Sequence, residues 1–176
     1  PEAAFVDGGT RMSKGDYEER HGERNFEQLR EEAFDRLAEA YSGGRMELDA
    51  EASGIDRAAL LSSLSGDAPT LSAACMDGER VTGCAYGRRG SVATQIGPIA
   101  ADGTASASAL LESLLRQIRG AVVLDVPRGD PAWSAALKSR GFAPVRSFLR
   151  MMLGENGLGS LVAAPIEHAV AGPEYG

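Results

Sequence analysis

The stretch from residue 96 to residue 126 narrows the fold most. It reads IGPIA, then ADGTASASALLESLLRQIR, then GAVVLDV. Two short apolar strands flank a segment with Ala107, Leu110, Leu111, Leu114, Leu115 and Ile118 at helical spacing. Strand, helix, strand in this order reads as a parallel pair joined by a crossover helix, and such a connection is right-handed. The expected bounds are Ser91–Ala100, Thr104–Arg119 and Ala121–Val126. Pro98 cannot donate to a strand ladder, so it predicts a bulge or an edge. A bulge there would hold the two strands apart and leave backbone groups of both free for a ligand.

The turn into the helix adds a second capability. A helix start presents about four unpaired N–H groups and a fractional positive charge. Thr104, Ala105, Ser106 and Ala107 are small enough for an anion to reach that backbone, and the hydroxyls add donors. No GxGxxG or GKS motif is present, and Asp102 would repel an anion unless it caps the helix. The plain alternative is a tight corner that binds nothing.

The remaining elements frame this unit. Residues 1–24 are polar and charged and read as an extended arm. Asn25 caps a helix running to about Tyr41, with Phe26, Leu29, Ala33, Leu37 and Ala40 on one face; Ser42-Gly43-Gly44 is expected to stop it. Asp56 caps a second helix, RAALLSSL. Thr70–Met76 and Arg80–Tyr86 flank Asp77-Gly78 and predict a hairpin. Pro131 opens the helix AWSAALKSR, which Gly141 ends. Val145–Leu153 and Leu161–Val170 read as closing strands. The expected domains are 1–45, an arm and an amphipathic helix, and 46–176, a compact α/β (α+β) domain: a mixed sheet with a βαβ crossover flanked by helices.

Composition excludes several function classes. The 176 residues carry a formal net charge of −7 and a pI near 4.9. Phosphate backbones want a basic face, so no nucleic-acid partner is expected; a basic amine or a basic partner fits better. No stretch approaches the roughly 18 apolar residues of a membrane span. Two cysteines and two histidines do not make a disulfide framework, and no metal site is expected. Cys75 and Cys84 are read as reduced thiols on one face of the hairpin. The opening PEAAFVDGGT lacks an apolar run, so a cytoplasmic location is expected, with an organelle interior after removal of a leader as the alternative.

The series IGPIAADGTASASALLESLL, VVLDVPRGDPAWSAALKSRGF, FLRMMLG and AVAGPEYG resembles GNAT-superfamily N-acetyltransferases, and more narrowly the C-terminal lobe of the tandem bacterial type. The upstream LDAEASGIDRAALLSSL looks like that lobe's opening helices, so the resemblance covers residues 46–176. It implies acetyl-CoA as cofactor and an amine, small molecule or protein, as acceptor. It implies that the backbone of Ile96, Gly97, Pro98 and Ile99 pairs with the pantetheine arm, and that Thr104, Ala105, Ser106 and Ala107 cradle the pyrophosphate. Asp125, Pro127, Asp130 and Trp133 would border the thioester end.

The chain departs from the family pattern in three places. ADGTASA lacks the basic contact and the glycine pair usual in the cradle. LKSRGF offers Ser139 where many members place a Tyr acid. Asp130 stands where relatives often have Asn. The catalytic residue stays open, with Tyr86 as the candidate acid. Arg88-Arg89 are candidates for a CoA phosphate or an acidic partner, with a solvated turn as the plain reading; His168 and Arg150 have structural roles as the plain reading; Glu51 and Asp56 could hold a basic substrate, with helix capping as the plain reading of Asp56. Two functions follow: an acetyl-CoA-dependent N-acetyltransferase, or a non-catalytic GNAT-like subunit docking on a larger assembly through residues 1–45.

Overall fold

The computed structural model describes residues 5–7, 10–12, 26–149 and 166–172. The chain divides into two compact units, Pro1–Glu39 and Ala40–Gly176. In the first unit, β1 (Phe5–Asp7) and β2 (Thr10–Met12) pair antiparallel, with Phe5 opposite Met12. That places a hairpin within the stretch read as an extended arm; Gly8-Gly9 between the two strands is its sequence signal. Asn25, the expected cap of the next helix, lies outside the described residues.

Helix α1 runs Phe26–Ser53, straight through Ser42-Gly43-Gly44. The expected stop at Tyr41 is therefore wrong, and the reason is packing. Two interior glycines cost on the order of 2 kcal/mol relative to alanine. Burial of Leu48 alone offsets about 1.5–3 kcal/mol. Gly44 is also the point where α1 meets the sheet: a Cβ there would lie 2.8 Å from Val81 Cγ2 and 3.2 Å from Val81 Cβ. Gly43 faces open space.

In the second unit the described residues form a five-stranded mixed sheet. Helix α2 (Ala58–Asp67) and a 3₁₀ turn (Pro69–Leu71) lead into β3 (Ser72–Asp77) and β4 (Arg80–Arg89). The 3₁₀ turn takes up Thr70, so β3 starts two residues later than expected. Then come β5 (Thr94–Ala101), α3 (Thr104–Leu115), β6 (Val122–Val123), α4 (Pro131–Ser139) and β7 (Glu167–Ala169). The order is β3-β4-β5-β6, with β7 also on β5; β6 is parallel to β5 and the other pairs are antiparallel. This is the α/β architecture with a βαβ crossover that the sequence implied.

Side chains alternate across the sheet, so each strand feeds two cores. Cys84, Tyr86 and Ala100 pack with Leu48, Ala52, Leu61 and Leu64 under α1 and α2. Ala85, Ile96, Ile99 and Ala101 pack with Leu110, Leu111 and Trp133 under α3 and α4.

Several boundaries differ for local reasons. Asp77 pairs with Arg80, so the hairpin turn is Gly78-Glu79, and the register slips between Cys75 and Met76. The slip leaves Cys75 opposite Gly83 and Cys84 opposite Ala74, which puts the thiols on opposite faces and corrects the one-face reading. Both are free; burial pushes the Cys84 thiol up to about 12. Helix α3 ends at Leu115 rather than Arg119, because Gln117 and Ile118 donate to Leu114 and Leu115, three residues back. Residues 145–149 form no strand, and Val145, Phe148 and Leu149 are exposed; residues 150–153 and 161–165 of the expected closing strands lie outside the described residues. Among the described residues no helix is long and apolar enough to cross a membrane.

The paired glycines give a direct test of the helix–sheet contact. Gly43→Ala should raise stability by up to about 1 kcal/mol, a gain of a few degrees in Tm. Gly44→Ala should forfeit that gain and fall below Gly43→Ala in thermal melts followed by circular dichroism, because its Cβ meets the stiff Val81 side chain.

Candidate functional site

The site begins where β5 and β6 part. Thr94 pairs with Val122 and Gln95 with Val123, and there the ladder between them ends. The two strands thus diverge before Pro98, earlier than the Ala121–Val126 strand implied. The β4–β5 register slips between Ala85 and Gly87, which marks the bulge that Pro98 predicted. Gly97 has φ +156°, in the region that favours glycine, and its peptide bond to Pro98 is cis.

A polar relay spans the point of parting. The Arg88 guanidinium donates to Gln95 Oε1 from Nε at 3.1 Å and Nη2 at 2.6 Å, and Gln95 Nε2 donates to Asp125 Oδ2 at 2.9 Å. Gln95 escaped the sequence reading; a lone amide inside TQIGPIAA was the available signal. Arg88 is thereby tied to the sheet rather than held in a solvated turn.

The free edge of β5 does not stay free. Ile99 lies opposite Ala169 and Ala100 opposite Glu167. Ala101 N–H donates to Ile166 O at 2.9 Å, and Val170 N–H donates across to Asp125 O at 2.9 Å. The segment 166–172 therefore lies in the gap between β5 and the chain beyond β6. A Cβ on Gly97 would run into Val170 O, so only glycine lets the backbones come this close. Ile96, Pro98 and Ile99 are fully buried. Trp133 is buried as well; its Nε1–H donates to His168 O at 2.8 Å, and its ring stands edge-on to the His168 ring at 5.4 Å. Buried His168 and Glu167 belong to this inserted strand; His168 Nδ1 sits 3.0 Å from Ile166 O.

The helix start meets a carboxylate from within the chain. Helix α3 has Gly103 at its N-cap and no side-chain cap. Asp102 does not cap it: its N–H donates to Thr82 O, and its carboxylate pairs with Arg80 at 3.1 Å on the surface, a contact worth under about 1 kcal/mol. Ala105 is exposed, Thr104 and Ser106 are half-buried, and Ala107 turns into the core. Thr104 Oγ1 donates to Asp130 Oδ2 at 3.3 Å, while Asp130 Oδ1 caps α4, accepting from Ala132 N at 2.8 Å and Trp133 N at 3.1 Å. The Trp133 amide, followed by those of Ala132 and the Thr104 hydroxyl, holds the Asp130 carboxyl below the usual carboxylate range. Asp125, Pro127 and Asp130 line the stretch that leads from β6 into α4.

Tyr86 lies elsewhere. It packs under α1 and α2, where Arg45 Nε donates to its hydroxyl at 2.8 Å, and burial pushes its pKa up. It therefore keeps its proton, and it packs with Leu48, Leu61 and Leu64 rather than with Ile96, Ile99 and Trp133. Arg45 also donates to Ser65 and Ser72 and lies over the Tyr41 and Tyr86 rings at 4.9 and 4.4 Å. One turn on, Asp49 accepts both Arg57 Nε and Nη2, at 2.7 and 2.9 Å. Asp56 accepts from Ala58 N at 3.0 Å, but the N-cap of α2 is Arg57, one residue later than expected, without a side-chain cap; Glu51 is exposed. His21 and Arg150 lie outside the described residues.

A family model described as an acetyltransferase (GNAT) domain matches residues 46–160. No curated protein matches the sequence. Among solved structures, the wild type and a point mutant of TTHA1254 from Thermus thermophilus are each 17% identical, with a TM-score of 0.47, over 68% of this chain and 95% of theirs.

Asp130 gives a pH signature. Its depressed carboxyl takes up a proton in the unfolded chain before the native one, so its contribution is full above about pH 4 and fades as pH falls further. Asp130→Asn should be less stable than wild type at neutral pH, and the gap should close through the acid range in urea melts run from pH 7 to pH 3.

Proposed function

The chain belongs to the acetyltransferase (GNAT) domain family, and from that premise we propose that it transfers an acetyl group from acetyl-CoA to an amine. The observation that carries this reading is the parting of β5 from β6 after Gln95 and Val123, directly before the Gly97-Pro98 bulge and on the strand that leads into a helix start without a side-chain cap. An opened strand edge suits an extended chain bearing amides, and a helix start suits an anion. The donor would supply an activated carbonyl. The acidic chain, at −7, favours approach of a cationic amine.

In the form described, the donor's arm does not fit. Segment 166–172 lies along the same edge of β5, and Val170 O lies against Gly97. Asp130 leans on Thr104 where a phosphate would sit. The second reading, a non-catalytic GNAT-like subunit that docks on a larger assembly with residues 1–45 as the docking segment, would leave that edge closed.

Acetyl-CoA separates the two. A donor present at 100 times its Kd raises stability by about 2.7 kcal/mol, so the first reading expects a clear rise in Tm and release of free thiol when amines are added. An unchanged Tm at millimolar acetyl-CoA, with no thiol released across a panel of amines, would leave the docking reading.

A further inference from the structure

We infer that residues 166–172 are a tethered occupant of the acyl-donor slot, so that this segment and acetyl-CoA exclude each other; the inference rests on the acyl-transfer reading. The segment is held on both sides by main chain: Ile99 and Ala100 of β5 on one flank, Asp125 O on the other. The side chains it buries beneath the sheet are small. Ala169 and Ala171 are 0% and 2% exposed, and the other two residues of β7, Glu167 and His168, are polar. Its larger apolar side chains, Ile166 and Val170, are only half-buried. Its links to β5 and to Asp125 are main-chain hydrogen bonds, and that is the interaction an amide-bearing ligand can replace bond for bond.

The geometry at Gly97 makes the competition direct. The absence of a side chain lets Val170 O come against that residue, and the same space is needed by any extended chain running along β5. The protein also carries its own reporter. Trp133 is the sole tryptophan, and its indole N–H is spent on His168 O while its ring stacks edge-on to His168. Departure of the segment breaks both contacts.

The test uses the full chain and acetyl-CoA, followed by calorimetry, Trp133 emission and amide hydrogen exchange. Binding should shift the emission with the calorimetric midpoint and speed exchange in 166–172 at least tenfold, with β4 unchanged. Binding that leaves 166–172 protected and the emission fixed overturns the inference while sparing the acyl-transfer reading. A variant loosens the segment: Ala169→Asp puts a carboxylate into the core beside Ile99 and should tighten acetyl-CoA binding at least tenfold. Binding by the variant but not by wild type also supports the inference. If emission reports the variant's segment displaced and neither protein binds, both the inference and the reading fall. Should Ala169→Asp not fold, the wild-type exchange experiment decides alone.

Discussion

A buried backbone edge must find partners, and this fold is organised by the need to supply them. β5 is central and buried, and β6 leaves it after two residue pairs. Each N–H and C=O beyond Gln95 would otherwise face an apolar interior, at a cost comparable to a lost hydrogen bond per group. The sequence supplies those partners from far along the chain: residue 166 serves Ala101, and Ala169 serves Ile99. Pro98 relaxes the demand by removing one donor from the edge. The bulge, the parting and the return of the C-terminal strand are thus one arrangement.

The opposite face of the sheet meets a different demand. Arg45, Asp49 and Arg57 are all buried, two cations against one carboxylate. Asp49 is committed to Arg57 in a two-pronged bond, so Arg45 settles on neutral partners: three hydroxyls and two tyrosine rings. Among the described residues Arg57 Nη1 has no partner. Such clusters rarely add net stability, because desolvation consumes the attraction, but breaking one partner is expensive. Their effect here is orientation: they fix α1 on the sheet across the two glycines that would otherwise let it bend or stop.

The sequence was legible where the signal is local. Pro131 behind Asp130, Gly141 after Arg140, and the spacing of Leu110, Leu111 and Leu114 each name an element without help from the rest of the chain. It was illegible where a distant contact decides. Gly43-Gly44 reads as a stop until Val81 is known to sit against Gly44. Ala121–Val126 reads as a full strand until β7 takes its place beside β5. Cys75 and Cys84 change faces through one bulge, a slip that no single residue announces. The parting strands were legible in Pro98 and Gly97; the segment that fills the gap was not, because HAVAG carries no mark of its partner. Tyr86 was illegible in the same way: alternation cannot say on which face of a sheet a side chain packs.

On the proposed acyl-transfer reading, two groups from within the chain stand where the two halves of a nucleotide-linked thioester would bind. Asp130 supplies an anion at the start of α3, and residues 166–172 supply an extended amide chain along β5. Their holds differ in kind. Asp130 is committed to α4 through the amides of Ala132 and Trp133, and touches α3 only through a 3.3 Å bond from Thr104. Its carboxylate can keep the α4 cap and release the Thr104 hydroxyl, leaving the start of α3 to a more highly charged anion. The strand has no such freedom, since each bond it makes to β5 is a bond any other occupant of that edge must take. Occupancy of the helix start is therefore compatible with the fold as described, whereas occupancy of the strand edge requires the C-terminal segment to move. On that reading the β5 edge, rather than the acidic residue at the cradle, would set the threshold for binding an acyl donor.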